Sequence, residues 1–366
     1  MRIVDLPKIT LATVVLLSAF VLSGCGGGSS GGGTSASSLT QMGGGKQGVA
    51  LSLTGAVSTL AGTALSSGTT DGTGSAARFN RPYNVTTDGT NLYVTDNVNN
   101  TVRKIVISTG AVTTLAGSAG LSGSTDGTGA AARFNFPNGI TTDGTNLYVA
   151  DTSNNAIRKI VISTGVVTTL SATVSGPSGI TTDGTNLYLT EGANSVVRQI
   201  VLSTGVVTTL AGTSGVTGHA DGTASAATFN LPYNITTDGT NLYVADTINA
   251  TIRKVVISSG VVTTVAGTAL STGYVDATGA AARFNYPDGM ALDGTNLYVG
   301  ECTNQTVRKV VLATSVVTTL AGTASTAGHA DGVGTAATFN HPCSVASDGS
   351  SLFVVDTDNF TIRKIQ

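Results

Sequence analysis

The sequence predicts an all-β protein folded as a six-bladed β-propeller, and three observations support this prediction. One template, written "ITTDGTNLYVAD" at 140–151, recurs six times along the chain. Each copy contains four strand-like runs, too few to bury a core alone, so the copies must pack against one another. The outermost copies are incomplete in a complementary way: residues 55–62 are a fourth strand without a blade, and the final "TIRKIQ" is a third strand without a fourth.

The spacing of the Asp-Gly turns gives the number of blades. The turns begin at positions 88, 143, 183, 238, 293 and 348, so all successive spacings are equal except the second, which is shorter. Regular spacing on this scale is typical of a repeat array. We therefore expect six blades, with the strand at 55–62 completing the last blade and closing the ring.

Each repeat is predicted to contain four short strands, named a to d in chain order. Strand a precedes Asp-Gly, a dipeptide that favours a tight hairpin turn. Strand b is the alternating "NLYVAD" run, strand c is the "AIRKIVI" type, and strand d is the "VVTTLAG" type that follows an "STG" turn. Runs of about five to seven residues are ordinary strand lengths. Four antiparallel strands of this kind form one propeller blade.

The composition agrees with this architecture. The chain has 48 glycines, no tryptophan and only 10% charged residues. Threonine- and valine-rich strands joined by glycine-rich turns account for such a profile. The net charge is −2, which gives no electrostatic basis for binding nucleic acid.

Residues 1–24 have the features of a bacterial lipoprotein signal peptide. A positively charged start precedes an apolar run at 9–22, whose length suits a signal peptide better than a membrane span. The run ends in Leu22-Ser23-Gly24-Cys25, which resembles the lipobox of bacterial lipoproteins. That resemblance implies cleavage before Cys25 and lipidation of this cysteine. An ordinary secretory signal with an incidental cysteine is the alternative.

The rest of the chain divides into a tether and the propeller. Residues 25–49 are rich in glycine and serine, a composition typical of a flexible linker. Residues 50–366 contain all copies of the repeat and are predicted to form the propeller. The expected location is the bacterial cell envelope, in the periplasm or at the outer membrane or cell surface, with a lipid anchor as the only membrane attachment.

The repeat resembles a known family. Its pattern, "P-x-G-I…D-G…L-Y-V-A-D…N…I-R-K-I…G…T-L-A-G", is similar to the NHL repeat, and the likeness extends over nearly all of 55–366. This resemblance implies a six-bladed NHL-type propeller. Members of that family serve mostly as binding platforms, while a related minority are lyases or hydrolases.

Two ionisable positions recur in every blade and are predicted to be scaffold. Strand b ends in an acid, and an arginine follows seven residues later. This fixed spacing across the b–c hairpin predicts one ion pair in each blade. The pairs are Asp96–Arg103, Asp151–Arg158, Glu191–Arg198, Asp246–Arg253, Glu301–Arg308 and Asp356–Arg363. A ring of carboxylates binding a cation is the alternative, which the neighbouring arginines disfavour because they already neutralise the ring.

Few residues support a catalytic site. His219 and His329 occupy the same connector position two blades apart, and His341 stands alone in the sequence. No orienting acid is identifiable for a Ser–His pair, and no P-loop or dinucleotide fingerprint occurs. We therefore assign no catalytic residue, no metal site and no cofactor.

Variation between the repeats concentrates where the chain enters strand a. The entering tetrapeptides, such as "RPYN" at 81–84 and "YPDG" at 286–289, carry aromatic and off-template charged residues. In a propeller these entries and the b–c loops lie on one face around the central channel, so we expect a recognition surface there. Its candidate residues are Arg81, Tyr83, Phe136, Asn138, Ser178, Tyr233, Tyr286, Asp288 and His341. Drift in solvent-facing loops is the alternative explanation.

The short interval before blade 3 predicts a gap in the structure. The connector between blades 2 and 3 lacks a segment like "DGTGSAARFN", which the other connectors contain. If those segments cover the rim of the recognition face, a notch beside Ser175 and Ser178 admits a ligand or partner loop.

Two cysteines lie within the propeller. Cys302 follows the strand-b acid of blade 5, and Cys343 enters strand a of blade 6. Both are expected on the same face of adjacent blades, in an oxidising compartment, which predicts a disulfide between them.

These observations predict a monomeric, lipid-anchored propeller that binds an unidentified envelope protein or glycan through its loop-rich face. One alternative is a hydrolase or lyase on the same scaffold that uses His341, Asp288 and Arg81. A second alternative is a purely structural envelope protein, which has no saturable ligand.

Overall fold

The structure is a computed structural model that describes residues 50–170 and 173–366. The predicted signal peptide at 1–24, the lipidation site at Cys25 and the tether at 25–49 lie outside the described residues.

Six antiparallel sheets in the described part of the chain form the blades. In chain order, β1 (Ala56–Ala61) comes first. Blade 1 contains β2 (Gly72–Thr73), β3 (Pro82–Thr87), β4 (Asn91–Asp96), β5 (Thr101–Val106) and β6 (Ala111–Gly117). Blade 2 contains β7 (Gly127–Thr128), β8 (Pro137–Thr142), β9 (Asn146–Asp151), β10 (Ala156–Val161) and β11 (Val166–Thr169). Blade 3 contains β12 (Pro177–Thr182), β13 (Asn186–Glu191), β14 (Val196–Val201) and β15 (Val207–Ala211).

The second half of the ring repeats this arrangement. Blade 4 contains β16 (Gly222–Thr223), β17 (Pro232–Thr237), β18 (Asn241–Asp246), β19 (Thr251–Val256) and β20 (Val261–Ala266). Blade 5 contains β21 (Pro287–Leu292), β22 (Asn296–Glu301), β23 (Thr306–Val311) and β24 (Val316–Ala321). Blade 6 contains β25 (Gly332–Val333), β26 (Pro342–Ser347), β27 (Leu352–Asp356) and β28 (Thr361–Ile365), together with β1. Short 3₁₀ turns span Gly74–Ala76, Gly129–Ala131, Thr152–Asn154, Gly192–Asn194, Ala224–Ala226, Gly279–Ala281, Gly334–Ala336 and Thr357–Asn359.

The first strand closes the ring, as the sequence predicts. β1 pairs antiparallel with β28, with Val57 opposite Ile365 and Ser58 opposite Lys364. It therefore serves as strand d of blade 6. This closure confirms the six-bladed fold and leaves no open seam between the first and last of the described blades.

The blades differ from the prediction in having a fifth strand. In blades 1, 2, 4 and 6, a two-residue strand from the connector pairs with the outer side of strand d. Blade 5 has a single bridge there, between Thr278 and Val316. Among the described residues, blade 3 has neither, so its β15 is an open edge. The connectors thus run along the outer edge of the wheel.

The core lies between neighbouring blades. In the cluster between blades 1 and 2, Tyr93, Phe134 and Val149 are buried together. Strands a line the central axis and approach one another very closely. A Cβ atom at Gly289 would lie 2.2 Å from the Cα of Ser344, so only glycine fits there.

The Asp-Gly turns explain why "DGTNLY" recurs. Asp143 Oδ1 accepts hydrogen bonds from the backbone N–H groups of Thr145 and Asn146, and its Oδ2 accepts one from the Tyr148 hydroxyl. These contacts fix the a–b turn, so the motif is structural. The described residues contain no helix long and apolar enough to cross a membrane.

Candidate functional site

Six prolines that begin strand a lie at one end of the wheel, and the residues on either side of them form two rings. The outer ring consists of the residues preceding these prolines, namely Arg81, Phe136, Gly176, Leu231, Tyr286 and His341. The inner ring consists of the residues that follow them, namely Tyr83, Asn138, Ser178, Tyr233, Asp288 and Cys343. All twelve belong to the variable tetrapeptides, and nine of them are candidates from the sequence.

The outer ring displays its side chains from an uncommon backbone conformation. Every member has a left-handed φ, for example 51° at Phe136 and 58° at Tyr286, although only Gly176 is a glycine. Such a backbone is strained in other residues, and strain of this kind concentrates at functional sites. The b–c loops hold this conformation, since Asn100 Oδ1 accepts a 2.8 Å hydrogen bond from the Phe136 N–H. Phe136 and Tyr286 remain 49% and 38% exposed.

The inner ring forms a polar cap over the axis. Tyr83 and Tyr233 come from the opposite blades 1 and 4, and their ring centroids are 5.8 Å apart. The Tyr83 hydroxyl donates to Asp288 Oδ2 at 2.9 Å, and Asn138 Nδ2 donates to the Tyr233 hydroxyl at 3.1 Å. The axial cavity that strands a enclose measures only about 30 Å³, room for very few waters. A ligand therefore meets the cap and not an open channel.

Asp288 is the ionisable centre of this cap. It is 2% exposed. Burial raises the pKa of Asp288 to about 7, while the hydrogen bonds from Tyr83 and Asn234 act in the opposite direction. The carboxyl group thus changes its charge near neutral pH.

A disulfide joins Cys302 and Cys343, and so links blades 5 and 6 beside Asp288. Cys302 Sγ lies 3.6 Å from Asp288 Oδ2. Within the described residues these three side chains are the one group of potential metal ligands that converges. Since the disulfide occupies both sulfurs, the oxidised protein lacks the thiolates that a metal would require.

An open cavity of about 320 Å³ lies on this face beside the cap. Its lining residues are Arg81, Tyr83, Asn97, Val98, Phe136, Asn138, Thr152, Ser153 and Tyr233. Five of them are candidates from the sequence, drawn from blades 1, 2 and 4. The structure therefore brings aromatic rings, an amide and a guanidinium group together at one cavity.

The other four candidates lie elsewhere. Ser178 is buried, its hydroxyl accepts a 3.4 Å hydrogen bond from the Gly192 N–H, and it does not line the cavity. Asp288 is buried beneath Tyr83. Tyr286 is exposed in the outer ring, but it does not line the cavity. His341 also lies outside it.

His341 has an acidic partner that the sequence did not reveal. Its Nδ1 lies within hydrogen-bond distance of an Asp358 oxygen, and the other oxygen of Asp358 is 3.1 Å from Arg81 Nη2. The hydrogen bond from His341 and the charge of Arg81 lower the pKa of Asp358. In the sequence Asp358 lies in the loop after strand b of blade 6, where no pattern connects it to His341.

The predicted acid–arginine pairs form in all six blades. Their N–O distances are 2.7–3.2 Å, and each acid is fully buried. The pairing is more extensive than expected, because a connector aspartate also contacts the arginine in five blades, at 2.6–2.8 Å. These second acids are Asp71, Asp126, Asp221, Asp276 and Asp331. Each precedes its arginine by the same sequence separation, and this constancy was the signal in the sequence.

The expected notch lies in a different place. Because the connectors follow the outer edge, the missing segment exposes the edge of blade 3 and does not open the rim beside Ser178. The missing segment leaves the Arg198 side chain 25% exposed, whereas the five corresponding arginines of the other blades are at most 1% exposed.

Comparisons with known proteins agree with the fold. No family model matches the chain. NHL repeat-containing protein 2 from Homo sapiens and from Bos taurus is 33% identical over 132 residues, which are 33% of this chain and only 18% of those proteins. A solved protein of unknown function from Bacteroides thetaiotaomicron matches with a TM-score of 0.67 and 21% identity, covering 85% of this chain and 75% of its own.

Another solved structure, an auxiliary nutrient binding protein from the same organism, also has a TM-score of 0.67, with 18% identity and 85% and 76% coverage. Likeness at this identity concerns the fold alone. The chain is a six-bladed β-propeller whose repeats are similar to NHL repeats.

Proposed function

We propose that this protein is a lipid-anchored binding protein of the bacterial cell envelope and that it binds a glycan at the cavity beside the cap. The observation that carries the proposal is the convergence of Arg81, Tyr83, Phe136, Asn138 and Tyr233 on that one cavity.

The chemistry of the cavity suits a sugar. Aromatic rings pack against the C–H faces of a sugar ring, while amide and guanidinium groups hydrogen-bond its hydroxyls. Phe136 offers an exposed ring, and the guanidinium group of Arg81 is on a side chain that is 55% exposed. The volume is at the small end of the range for ligand sites, so it suits one or two sugar units of a longer chain.

The solved relatives are consistent with a binding role. Auxiliary nutrient binding proteins from Bacteroides thetaiotaomicron and Bacteroides ovatus share this fold, with TM-scores of 0.67 and 0.65. The disulfide between Cys302 and Cys343 supports an extracytoplasmic location, since such bonds persist in oxidising compartments.

The start of the propeller supports an accessible cavity. The N–H of Leu51 donates to Asp293 Oδ2 at 2.9 Å, in an a–b turn. The a–b turns lie at the end of the wheel opposite to the six prolines, because strand a runs from one end to the other. The described chain therefore enters the propeller at the end remote from the cavity.

The test is a screen of the full-length, detergent-solubilised protein on an array of soluble glycans, followed by titration of the best hit. Phe136→Ala should weaken binding at least tenfold. Tyr286→Ala is the matched control, because Tyr286 has the same backbone conformation in the same ring but does not line the cavity. Absence of any saturable glycan, as expected of a purely structural protein, would refute the proposal, and so would an equal effect of both variants. A protein captured in a Phe136-dependent way would replace the glycan with a protein partner.

A second candidate function is a hydrolase or lyase, which the His341–Asp358 pair favours. A carboxylate at Nδ1 orients an imidazole for general base or acid work. Arg81 contacts the same carboxylate and lines the cavity. Turnover in a screen of esters, lactones and glycosides, abolished by His341→Ala and reduced by Asp358→Asn, would support this candidate. Activity that survives His341→Ala would exclude this pair as its source.

A further inference from the structure

The outer edge of blade 3 lacks a segment that the chain supplies to the other blades. Blade 2 shows the complete arrangement, and its residues correspond to those of blade 3 at an offset of 40. In blade 2, Asp126 Oδ1 pairs with Arg158 Nη2 at 2.7 Å, and Asp126 Oδ2 accepts a 3.1 Å hydrogen bond from the Thr169 N–H. The carbonyl of Thr125 accepts another bond from Arg158 Nη2, at 3.1 Å.

The next residues of the connector extend the sheet. Gly127 and Thr128 pair with Val167 and Val166 of strand d. The following N–H, from Gly129, donates to the Gly165 carbonyl at 2.9 Å. A carboxylate followed by two extended residues thus satisfies both the arginine and the strand edge. The five connector segments are Asp71-Gly72-Thr73, Asp126-Gly127-Thr128, Asp221-Gly222-Thr223, Asp276-Ala277-Thr278 and Asp331-Gly332-Val333.

Blade 3 has the arginine and the strand edge but lacks the connector segment that would contact them. Arg198 contacts Glu191 through Nε at 3.2 Å and donates from Nη1 to the Thr209 hydroxyl at 2.6 Å. Among the described residues it has no second acid, and its side chain is 25% exposed. Val206 is 53% exposed, against 36% for the corresponding Val166, which pairs with the connector of blade 2.

The shorter connector, and not the identity of the strand-b acid, causes this difference. Blade 5 also has a glutamate, Glu301, yet its Arg308 is fully buried and pairs with Asp276 at 2.6 Å. The phenylalanine that lies against the arginine in the other blades is replaced by the buried Val174 in blade 3. Blade 3 therefore keeps an apolar residue at this position but lacks the Asp-Gly-Thr segment that lies along the edge of the other blades.

We propose that the edge of blade 3 is a docking site for an extended segment of a partner protein that contains Asp-Gly-Thr or a close equivalent. The segment adds a strand beside β15, opposite Val207 and the preceding Val206, which is β-augmentation. Its carboxylate takes the place of Asp126, bridging the guanidinium group of Arg198 and the N–H of Thr209. Charge complementarity at a partly desolvated arginine selects the acid.

The partner is a different protein and not a second copy. All five connector aspartates of this chain are already engaged by their own arginines. The Asp-Gly-Thr sequences of the a–b turns are bent into hairpins, with a carboxylate engaged in the turn as in Asp143, so they are not extended segments. A second copy could offer a connector segment only by exposing the edge of another of its blades.

The test uses a fluorescently labelled peptide with the sequence of residues 123–131, "GSTDGTGAA", and the full-length protein in detergent. Anisotropy should show saturable binding that weakens at least tenfold when Asp126 of the peptide is replaced by Asn. Arg198→Gln in the protein should weaken binding equally. Thr264→Val in blade 4, whose edge is occupied by Asp221, is the matched control and should leave binding unchanged.

Two further measurements distinguish loss of peptide binding from loss of protein stability. If Arg198→Gln melts at a much lower temperature, Arg198→Lys replaces it and should give an intermediate loss, because lysine keeps the charge but not the planar fork. Hydrogen exchange at the Thr209 amide should slow on peptide binding. The absence of saturable peptide binding, or equal affinity for the Asn peptide, would overturn the proposal. Dimerisation of the protein alone that Arg198→Gln abolishes would assign the edge to a second copy instead.

Discussion

The acid–arginine pairs and the two rings around the prolines make opposite use of the same six-fold repeat. Each pair consists of an acid and an arginine at the same positions of every blade, and all of these side chains except the partly exposed Arg198 are buried. The outer ring has nearly the same backbone φ in every blade but carries different side chains, from Gly176 to Phe136. A group that recurs in each blade maintains the architecture that all blades share, whereas an exposed side chain unique to one blade, such as Phe136, is available for recognition.

The largest effect should come from breaking one of the repeated pairs. Arg253→Leu leaves both Asp246 and Asp221 without their cation, and loss of one partner of a buried ion pair costs about 3–5 kcal/mol. Arg198→Leu should cost at least about 1 kcal/mol less, because Arg198 pairs with one acid and is partly hydrated. Urea denaturation of both variants measures the difference. Equal losses would mean that the connector aspartates contribute nothing to stability.

A smaller, pH-dependent effect should come from the inner ring. The pKa of Asp288 is raised from 3.8 to about 7, so the folded protein binds this proton more tightly than the unfolded chain. The stability contributed by Asp288 is therefore fully present below about pH 4 and is lost as the pH rises to about 7. Asp288→Asn removes this loss, and should stabilise the protein relative to wild type by up to about 4 kcal/mol at pH 8.

Melting curves of the two proteins between pH 4 and pH 8 test this sign. The wild type should lose stability relative to Asp288→Asn as the pH rises. Parallel curves would show that Asp288 stays ionised between pH 4 and pH 8, which would require a further contact that stabilises its charge.

The smallest effect on stability should come from the outer ring. Phe136→Gly relieves the left-handed backbone, at φ 51°, but adds freedom to the unfolded chain, and these contributions are each about 1 kcal/mol. The net change in the free energy of unfolding should stay within about 1 kcal/mol, measured by urea denaturation. Glycan binding should nevertheless fall at least tenfold. A large destabilisation would make Phe136 part of the scaffold.

The fold and the repeated pairs could be predicted because their signals are local. The hairpin turn, the alternating strand and the seven-residue spacing are each contained within one blade. Because they recur in six copies, the shared pattern can be told from the variable residues. Closure of the ring followed from the complementary fragments. The second acids were missed because their contact with an arginine two strands further along the sheet depends on how the connector wraps the edge.

The site was predictable only as a face. Which residues of that face line the cavity depends on contacts between distant blades, such as the hydrogen bond between Asn138 and Tyr233, which are 95 residues apart. The position before and the position after each proline look equivalent in the sequence, yet the first is displayed to solvent and the second forms the cap. This is why Ser178 and Asp288 were candidates although both are buried. The partnership of His341 with Asp358 spans a b–c loop whose shape the sequence did not specify.

Hydrogen exchange of the full-length protein, measured with and without the glycan that binds best, shows whether ligands bind at the face bearing the six prolines. We expect slower exchange confined to the strand-a entries and b–c loops of blades 1 and 2, around residues 81–84, 97–98, 136–138 and 152–153, and to the strand-a entry of blade 4 at Tyr233. Protection at the a–b turns, at the opposite end of the wheel, would contradict this expectation.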